Sequence, residues 1–399
     1  MALRAARVIG TLGTEAALDV LTAARQLEAR GRSVRHLEVG QPDAPTAPHV
    51  VETAVAALRA GRTGYAPPAG LPALRSAIAE RWRALGAAVD PDRVVVTPGG
   101  KPMLAWAATL VLEPGDEALI PDPGFPIYAS AVRFAGGRPV TYPLDTGADF
   151  TLDPDAIAER IGPRTRLLYL NVPHNPTGGT ATPAALDRVA DLAERYDLIV
   201  VADDVYRGLR YDGPDDSIFL RPGLPARTIL VDAFSKRYAM TGWRLGYGIL
   251  PPVLVDGAVR LVINSVSCVP PFVQEAGVAA LTGPQDAVTT LRERLRHIRD
   301  IAVRRLHAVP GVSCGVPGGA FYLFPDVSAL LPAGESVAAL ASDLLDGSGV
   351  ALLPGTAFGP GGAGHLRISY ARPLAELTAA FDALEAALSR SPAAVQEGS

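Results

Sequence analysis

A chain of 399 residues is long enough for one large core and a smaller lobe, but not for three domains. Hydrophobic residues at 48% and charged residues at 20% exclude a disordered or fibrous protein, and a net charge of −4 gives no basic field for nucleic acid or anionic membrane. Two cysteines, Cys268 and Cys314, make neither a disulfide framework nor a metal-ligand spacing and read as reduced core thiols, no apolar run approaches the about 20 residues of a membrane span, and MALRAARVIG lacks the apolar stretch of a signal peptide, so the expected location is cytoplasmic.

The pattern over Ala16–Arg30 predicts an amphipathic helix, with Leu18, Leu21 and Leu27 on one stripe and Gly31 as its stop. A strand over Val34–Val39 runs into the turn Gly40-Gln41-Pro42-Asp43. A helix over Val50–Ala60 leads to Gly64-Tyr65 and a second amphipathic helix, LPALRSAIAERW. From Arg93 the pattern becomes strand, loop and helix in repetition. The strands are RVVVT, EALIP, PVTYPL, TRLLYL, DLIVVA, TILVDA and LGYGIL, and Asp153-Pro154 and Thr182-Pro183 look like helix starts. Short, near-continuous apolar strands alternating with helices predict an α/β fold: a mostly parallel sheet sandwiched by helices, with ligands at the carboxyl ends of the strands.

Candidate site residues fall at those ends. Thr97-Pro98-Gly99-Gly100-Lys101-Pro102 is a strand-to-helix turn whose glycines and helix N-terminus suit an anion, although Pro102 excludes a Walker loop. Phe125 follows EALIP in the turn Pro123-Gly124-Phe125-Pro126. Asn175 lies in N-P-T-G after TRLLYL, with His174 before it. Asp203 ends DLIVVA, with Asp204 and Tyr206 following. TILVDA leads into Ser235-Lys236, then Thr241-Gly242-Trp243-Arg244. A lysine after a strand is by itself an ordinary solvated charge. Farther on, 254–281 reads as mostly helical. A long helix over Ala287–Val309 carries arginines that read as a solvated face, and FYLFPDV, GVALLPG and HLRISYA read as strands. The tail from Ser391 is polar.

The segment S-K-x-x-x-M-T-G-W-R-x-G resembles the lysine segment of pyridoxal-phosphate enzymes of the aspartate aminotransferase fold type, the class I/II aminotransferases. Y-x-x-x-x-G-x-x-x-L-R-x-A-I-A from Tyr65, the G-x-P-D turn and N-P-T-G extend the likeness from about Val8 to Leu384 in the family's order. The resemblance implies a large domain over 46–285 and a smaller α+β domain assembled from 1–45 and 286–399. It implies that Lys236 forms the Schiff base with pyridoxal 5′-phosphate. Arg244, Gly99, Gly100, Lys101 and a partner subunit's Tyr65 would hold the phosphate. Phe125 would stack on the ring, Asp203 would pair with the ring nitrogen, and Asn175 and Tyr206 would meet the phenolic oxygen. Gly40, Asn175 and Arg367 would receive the substrate, with the Arg367 guanidinium on the α-carboxylate. His174 is then left without a catalytic role, and Asp204 reads as a structural or solvent-facing carboxylate.

The implied reaction moves an amino group between an α-amino acid and a 2-oxo acid in a homodimer with shared active sites. The alternative is lyase, decarboxylase or oxidase chemistry with the same cofactor. Two departures stand out. Ala233 replaces a serine that contacts the phosphate in many members. VINSVSCVPP has no arginine where dicarboxylate-specific members carry one, although Asn264, Ser265 and Ser267 are placed to face a partner's pocket.

Overall fold

The computed structural model describes residues 5–389 apart from 333. The polar tail from Ser391 lies outside the described residues. After α1 (Ala16–Ala29) and a two-residue strand β1 (Arg35–His36), two helices, α2 (Pro48–Arg59) and α3 (Pro72–Ala84), lead into the alternating part of the chain. This part comprises β2 (Val94–Thr97), α4 (Lys101–Val111), β3 (Glu117–Asp122), α5 (Ile127–Phe134), β4 (Arg138–Pro143), α6 (Pro154–Ala158), β5 (Thr165–Asn171), α7 (Pro183–Arg195), β6 (Ile199–Asp203) and β7 (Thr228–Ala233). It closes with the one-turn α8 (Phe234–Arg237) and β8 (Gly246–Ile249).

These strands form one seven-stranded sheet in the order β2-β8-β7-β6-β5-β3-β4. Six run parallel, and β8 alone runs against its neighbours β2 and β7. Both faces are buried, as near-continuous apolar strands require. Val94, Val96, Leu168, Leu170, Val200 and Leu230 enter one core, while Val95, Leu167, Tyr169, Val201, Ile229 and Val231 enter the other. This is the alternation that a pleated strand imposes. Each such buried aliphatic side chain contributes about 1.5–3 kcal/mol. The helix starts at Asp153-Pro154 and Thr182-Pro183 are capped: Thr182 Oγ1 accepts from Ala185 N–H at 3.1 Å, and Asp153 Oδ1 accepts from Asp155 N–H at 2.9 Å.

The remaining elements are α9 (Pro252–Ser265), α10 (Pro271–Thr282), α11 (Asp286–His307), β9 (Tyr322–Leu323), α12 (Val337–Asp343), β10 (Val350–Ala351), β11 (Leu353–Pro354), β12 (Leu366–Ser369) and α13 (Leu374–Leu388). A third core joins Leu37 to Leu291, Leu295, Phe321, Ile368 and Phe381. β1 pairs in parallel with β10, Arg35 opposite Val350, and β12 is flanked by β11 and β9.

Several expectations need correction. The helical stretch 254–281 is two helices, broken before Pro270-Pro271, where the chain lacks amide donors. The strands FYLFPDV and Val34–Val39 shrink to two residues each, and Asp326 pairs only through isolated bridges to Ser313 and His365. The arginines of α11 are not all solvated: Arg299 is buried, donating to Asp212 Oδ2 at 3.0 Å and to Pro317 O at 2.9 Å. Both cysteines are free, but Cys268 is only half-buried, while Cys314 lies in the core.

Candidate active site

Three adjacent strands end at one cavity of about 450 Å³, bordered by Asn171 closing β5, Asp203 closing β6 and Ala233 closing β7. Because α8 begins directly after β7, Lys236 is delivered into the same space within one helical turn. Its Nζ donates to the Gly40 carbonyl and lies 5.8 Å from the Tyr206 ring centre and 5.6 Å from that of Phe321. Burial, followed by the positive charges of Arg367, Arg244 and Lys101, pulls the Lys236 ammonium down to about 7, with Asp203 opposing. Near neutral pH a substantial share of this lysine is therefore free of its proton at the base of the cavity.

Asp203 is buried at the strand end. Its Oδ2 accepts from the Tyr128 hydroxyl at 2.7 Å. Burial lifts its carboxyl to about 6, while the Tyr128 and Val205 hydrogen bonds hold it from rising further. Neighbouring Asp204 does not face solvent. It is buried, 3.9 Å from Arg207, and burial raises it to about 8, so the structural half of its expectation stands. Asn175 is fixed by its own backbone, whose N–H donates to Asn171 Oδ1 at 2.8 Å. Asn171 Nδ2 in turn donates to the Asp203 carbonyl at 2.9 Å. The hydroxyls of Tyr206 and Tyr322 pair at 2.7 Å.

Arg367, from β12, enters from the opposite side. It is buried and donates to the Glu38 carbonyl, and its Nη1 stands 3.5 Å from Asn175 Oδ1. Its guanidinium lies between the rings of Tyr322 and Phe358, at 4.7 and 5.1 Å. Nε has no protein partner. A buried guanidinium with donors to spare, clamped between aromatic faces, is built to receive a planar anion.

The cavity wall also includes Gly40, Gly100, Lys101, Phe125 and Arg244. Gly99 stands immediately behind it at φ +84°, where an added Cβ would come 2.3 Å from Arg244 Nη2. The guanidinium of Arg244 thus rests against bare backbone, anchored through Nη1 to the Thr241 carbonyl at 2.8 Å. Lys101, expected from the resemblance among the residues holding the phosphate, instead turns its ammonium to Glu15. Ser235 shares the wall with Lys236 and Ala233, so a hydroxyl is available beside the position of the absent serine.

Tyr65 is not part of this cavity. It is 92% exposed, and Asn264, Ser265 and Ser267 are exposed as well. His174 is buried off the cavity against Thr177 Oγ1 at 2.9 Å, and burial drives its imidazole down to about 3, so it stays neutral near pH 7. Sequence reasoning missed Tyr128, Glu15 and Phe358. Tyr128 reads as one more apolar residue of an amphipathic helix, and no spacing rule joins Glu15 to Lys101.

A family model, aminotransferase class I and II, matches residues 32–384. An aspartate aminotransferase of Pyrococcus horikoshii is 36% identical over 355 residues, covering 88% of this chain and 90% of that one. An arginine–pyruvate transaminase of Pseudomonas aeruginosa is also 36% identical, covering 90% and 92%. The solved structure of the Thermus thermophilus aspartate aminotransferase with maleate superposes with a TM-score of 0.91 at 34% identity, over 97% of this chain and all of that one.

Proposed function

The chain belongs to the class I and II aminotransferases and is an enzyme that moves an amino group between an α-amino acid and a 2-oxo acid; from that premise we propose that it works with pyridoxal 5′-phosphate held at Lys236. The named relatives favour transfer over elimination, decarboxylation or oxidation. The residues present fit the cofactor. Arg244 backed by the Gly99–Gly100 turn suits a phosphate, Phe125 offers a ring face, and Asp203 is a carboxylate that can face a ring nitrogen. When bound, the cofactor supplies an aldehyde that condenses with amines and a protonated ring that withdraws electrons from the substrate's α-carbon.

The protein supplies the rest. Arg367 orients the amino acid by its α-carboxylate, with Gly40 and Asn175 closing the same corner. Lys236 Nζ, already unprotonated in a large share of molecules near pH 7, accepts the proton leaving the substrate's Cα. Asp203, mostly ionised at that pH, would keep a proton on the cofactor's ring nitrogen. Asn175 and the Tyr206 hydroxyl, which is paired with that of Tyr322, would supply neutral donors to an oxygen at the ring edge.

The observation that carries this reading is the convergence of Lys236, Asp203 and Arg367 on one cavity from three separate parts of the chain. The test is amino transfer by the purified enzyme supplied with pyridoxal phosphate, against Lys236→Ala. The wild type should convert a donor amino acid and a 2-oxo acid, and the variant should lose turnover altogether. Turnover by Lys236→Ala at the wild-type rate would refute the assignment.

The proposal extends to a homodimer in which Tyr65 serves the partner's site. In its support, Tyr65, Val253 and Ile263 are large apolar side chains left exposed on the single chain. It also extends to the two-domain division at 45/46 and 285/286, supported by separate cores, and to a cytoplasmic location, supported by two unpaired cysteines.

A further inference from the structure

One cation and one anion in the cavity wall take no part in the reaction as proposed. Lys101 opens α4 and Glu15 immediately precedes α1, yet the Lys101 ammonium donates to Glu15 Oε1 across the cavity. The Lys101 Nζ also lies 5.6 Å from the centre of the Phe125 ring. The two side chains are 45% and 29% exposed, so the pair stands where the cavity meets solvent.

Four cations line this cavity among the described residues: Lys101, Lys236, Arg244 and Arg367. The proposed reaction uses the last three. Burial and the neighbouring charge of Arg244 both disfavour a positive charge on Lys101, and the anion in direct contact with it is the chain's own Glu15. Leu18, Pro126, Leu353 and Phe358 give much of the remaining wall an apolar surface.

We infer that Glu15 is a specificity-determining residue: by occupying Lys101 it leaves no free cation for a second carboxylate and directs the enzyme to amino acids with uncharged, apolar side chains. The inference rests on the aminotransferase reading, which assigns Arg367 to the α-carboxylate. A dicarboxylate entering this cavity meets the Glu15 charge and must break an existing ion pair to gain Lys101. A monocarboxylate with an alkyl chain keeps the pair and covers the apolar wall.

The experiment measures, by calorimetry on the enzyme loaded with pyridoxal phosphate, the affinities of succinate and 4-methylpentanoate, neither of which can donate an amino group. The wild type should prefer the monocarboxylate. Glu15→Gln, close in shape and neutral, should raise the ratio of succinate to 4-methylpentanoate affinity on the order of tenfold by freeing Lys101. Glu15→Gln combined with Lys101→Met should abolish that gain, and Lys101→Met alone should not raise the ratio. An unchanged ratio in Glu15→Gln, a gain that survives in the double variant, or a wild type that prefers succinate would each overturn the inference. Failure of amino transfer with every donor would instead refute the reaction, while the ligand ratio would still decide the role of Glu15.

Discussion

Replacing Tyr128 by Phe keeps the ring stacked on Tyr169, at 5.0 Å between centres, and removes only the hydroxyl that donates to Asp203 Oδ2 at 2.7 Å. A hydrogen bond to a charged group is worth about 1.5–3 kcal/mol, and one pKa unit corresponds to about 1.36 kcal/mol, so the Asp203 carboxyl should rise by about one to two units. Burial has already brought it to about 6, and the Tyr128 bond is the largest effect holding it there. The rise carries it through neutrality. The ionised fraction at pH 7 falls from roughly nine-tenths to half or below. The rate at pH 7 should drop by about two- to tenfold and recover toward pH 9, with the acid limb of kcat displaced upward by about one to two units.

Direction identifies the group. Asp203 in its ionised form raises the proton affinity of Lys236, so neutralising Asp203 lowers the Lys236 value, and a limb governed by Lys236 would move toward acid. The assay is a pH profile of kcat for both proteins, joined to an infrared titration of the carboxyl band assigned by its loss in Asp203→Asn. An acid limb that stays in place or moves downward would refute the account of Asp203.

Arg367→Lys should raise KM for the amino acid by about ten- to a hundredfold, because an ammonium cannot reproduce the two-pronged contact with a carboxylate; an unchanged KM would remove Arg367 from substrate binding. Gly246→Ala would place a Cβ 2.5 Å from the Gly99 carbonyl carbon and 2.8 Å from Gly100 N, both backbone atoms that can only shift with their strand. A loss of about 1–3 kcal/mol in unfolding free energy should appear as a lower Tm, and a variant as stable as the parent would show that the β8–turn contact yields freely.

Much of the fold was legible because each strand of the large sheet is an apolar run buried on both faces, and Val94–Val96 or Leu167–Leu170 leave little else to propose. The reversed direction of β8 was not legible, since LGYGIL carries no mark of orientation and is turned by the loop through Arg244. The site was legible where residues sit next to strand ends, as with Asp203, Asn175 and Lys236. It was opaque where contacts span the chain. Tyr128 meets Asp203 across 75 residues and Glu15 meets Lys101 across 86, and no local periodicity encodes either. The burial of Asp204 was missed for a related reason: its neighbours Arg207 and Ser217 lie beyond its own strand.

The strand pair β1–β10 joins Arg35 to Val350, and Arg367 reaches back to the carbonyl of Glu38. Synthesis proceeds from the N-terminus, so the segment that carries Gly40 leaves the ribosome long before the strands it pairs with exist. The seven-stranded sheet is complete in sequence by Ile249 and can consolidate first, with Lys236 already at its edge. The corner that receives the amino acid waits for more than a hundred further residues. On the proposed reading, the chain's own residues assigned to the cofactor all precede Ile249 in the sequence, whereas the corner assigned to the substrate is complete only with the last strand, β12.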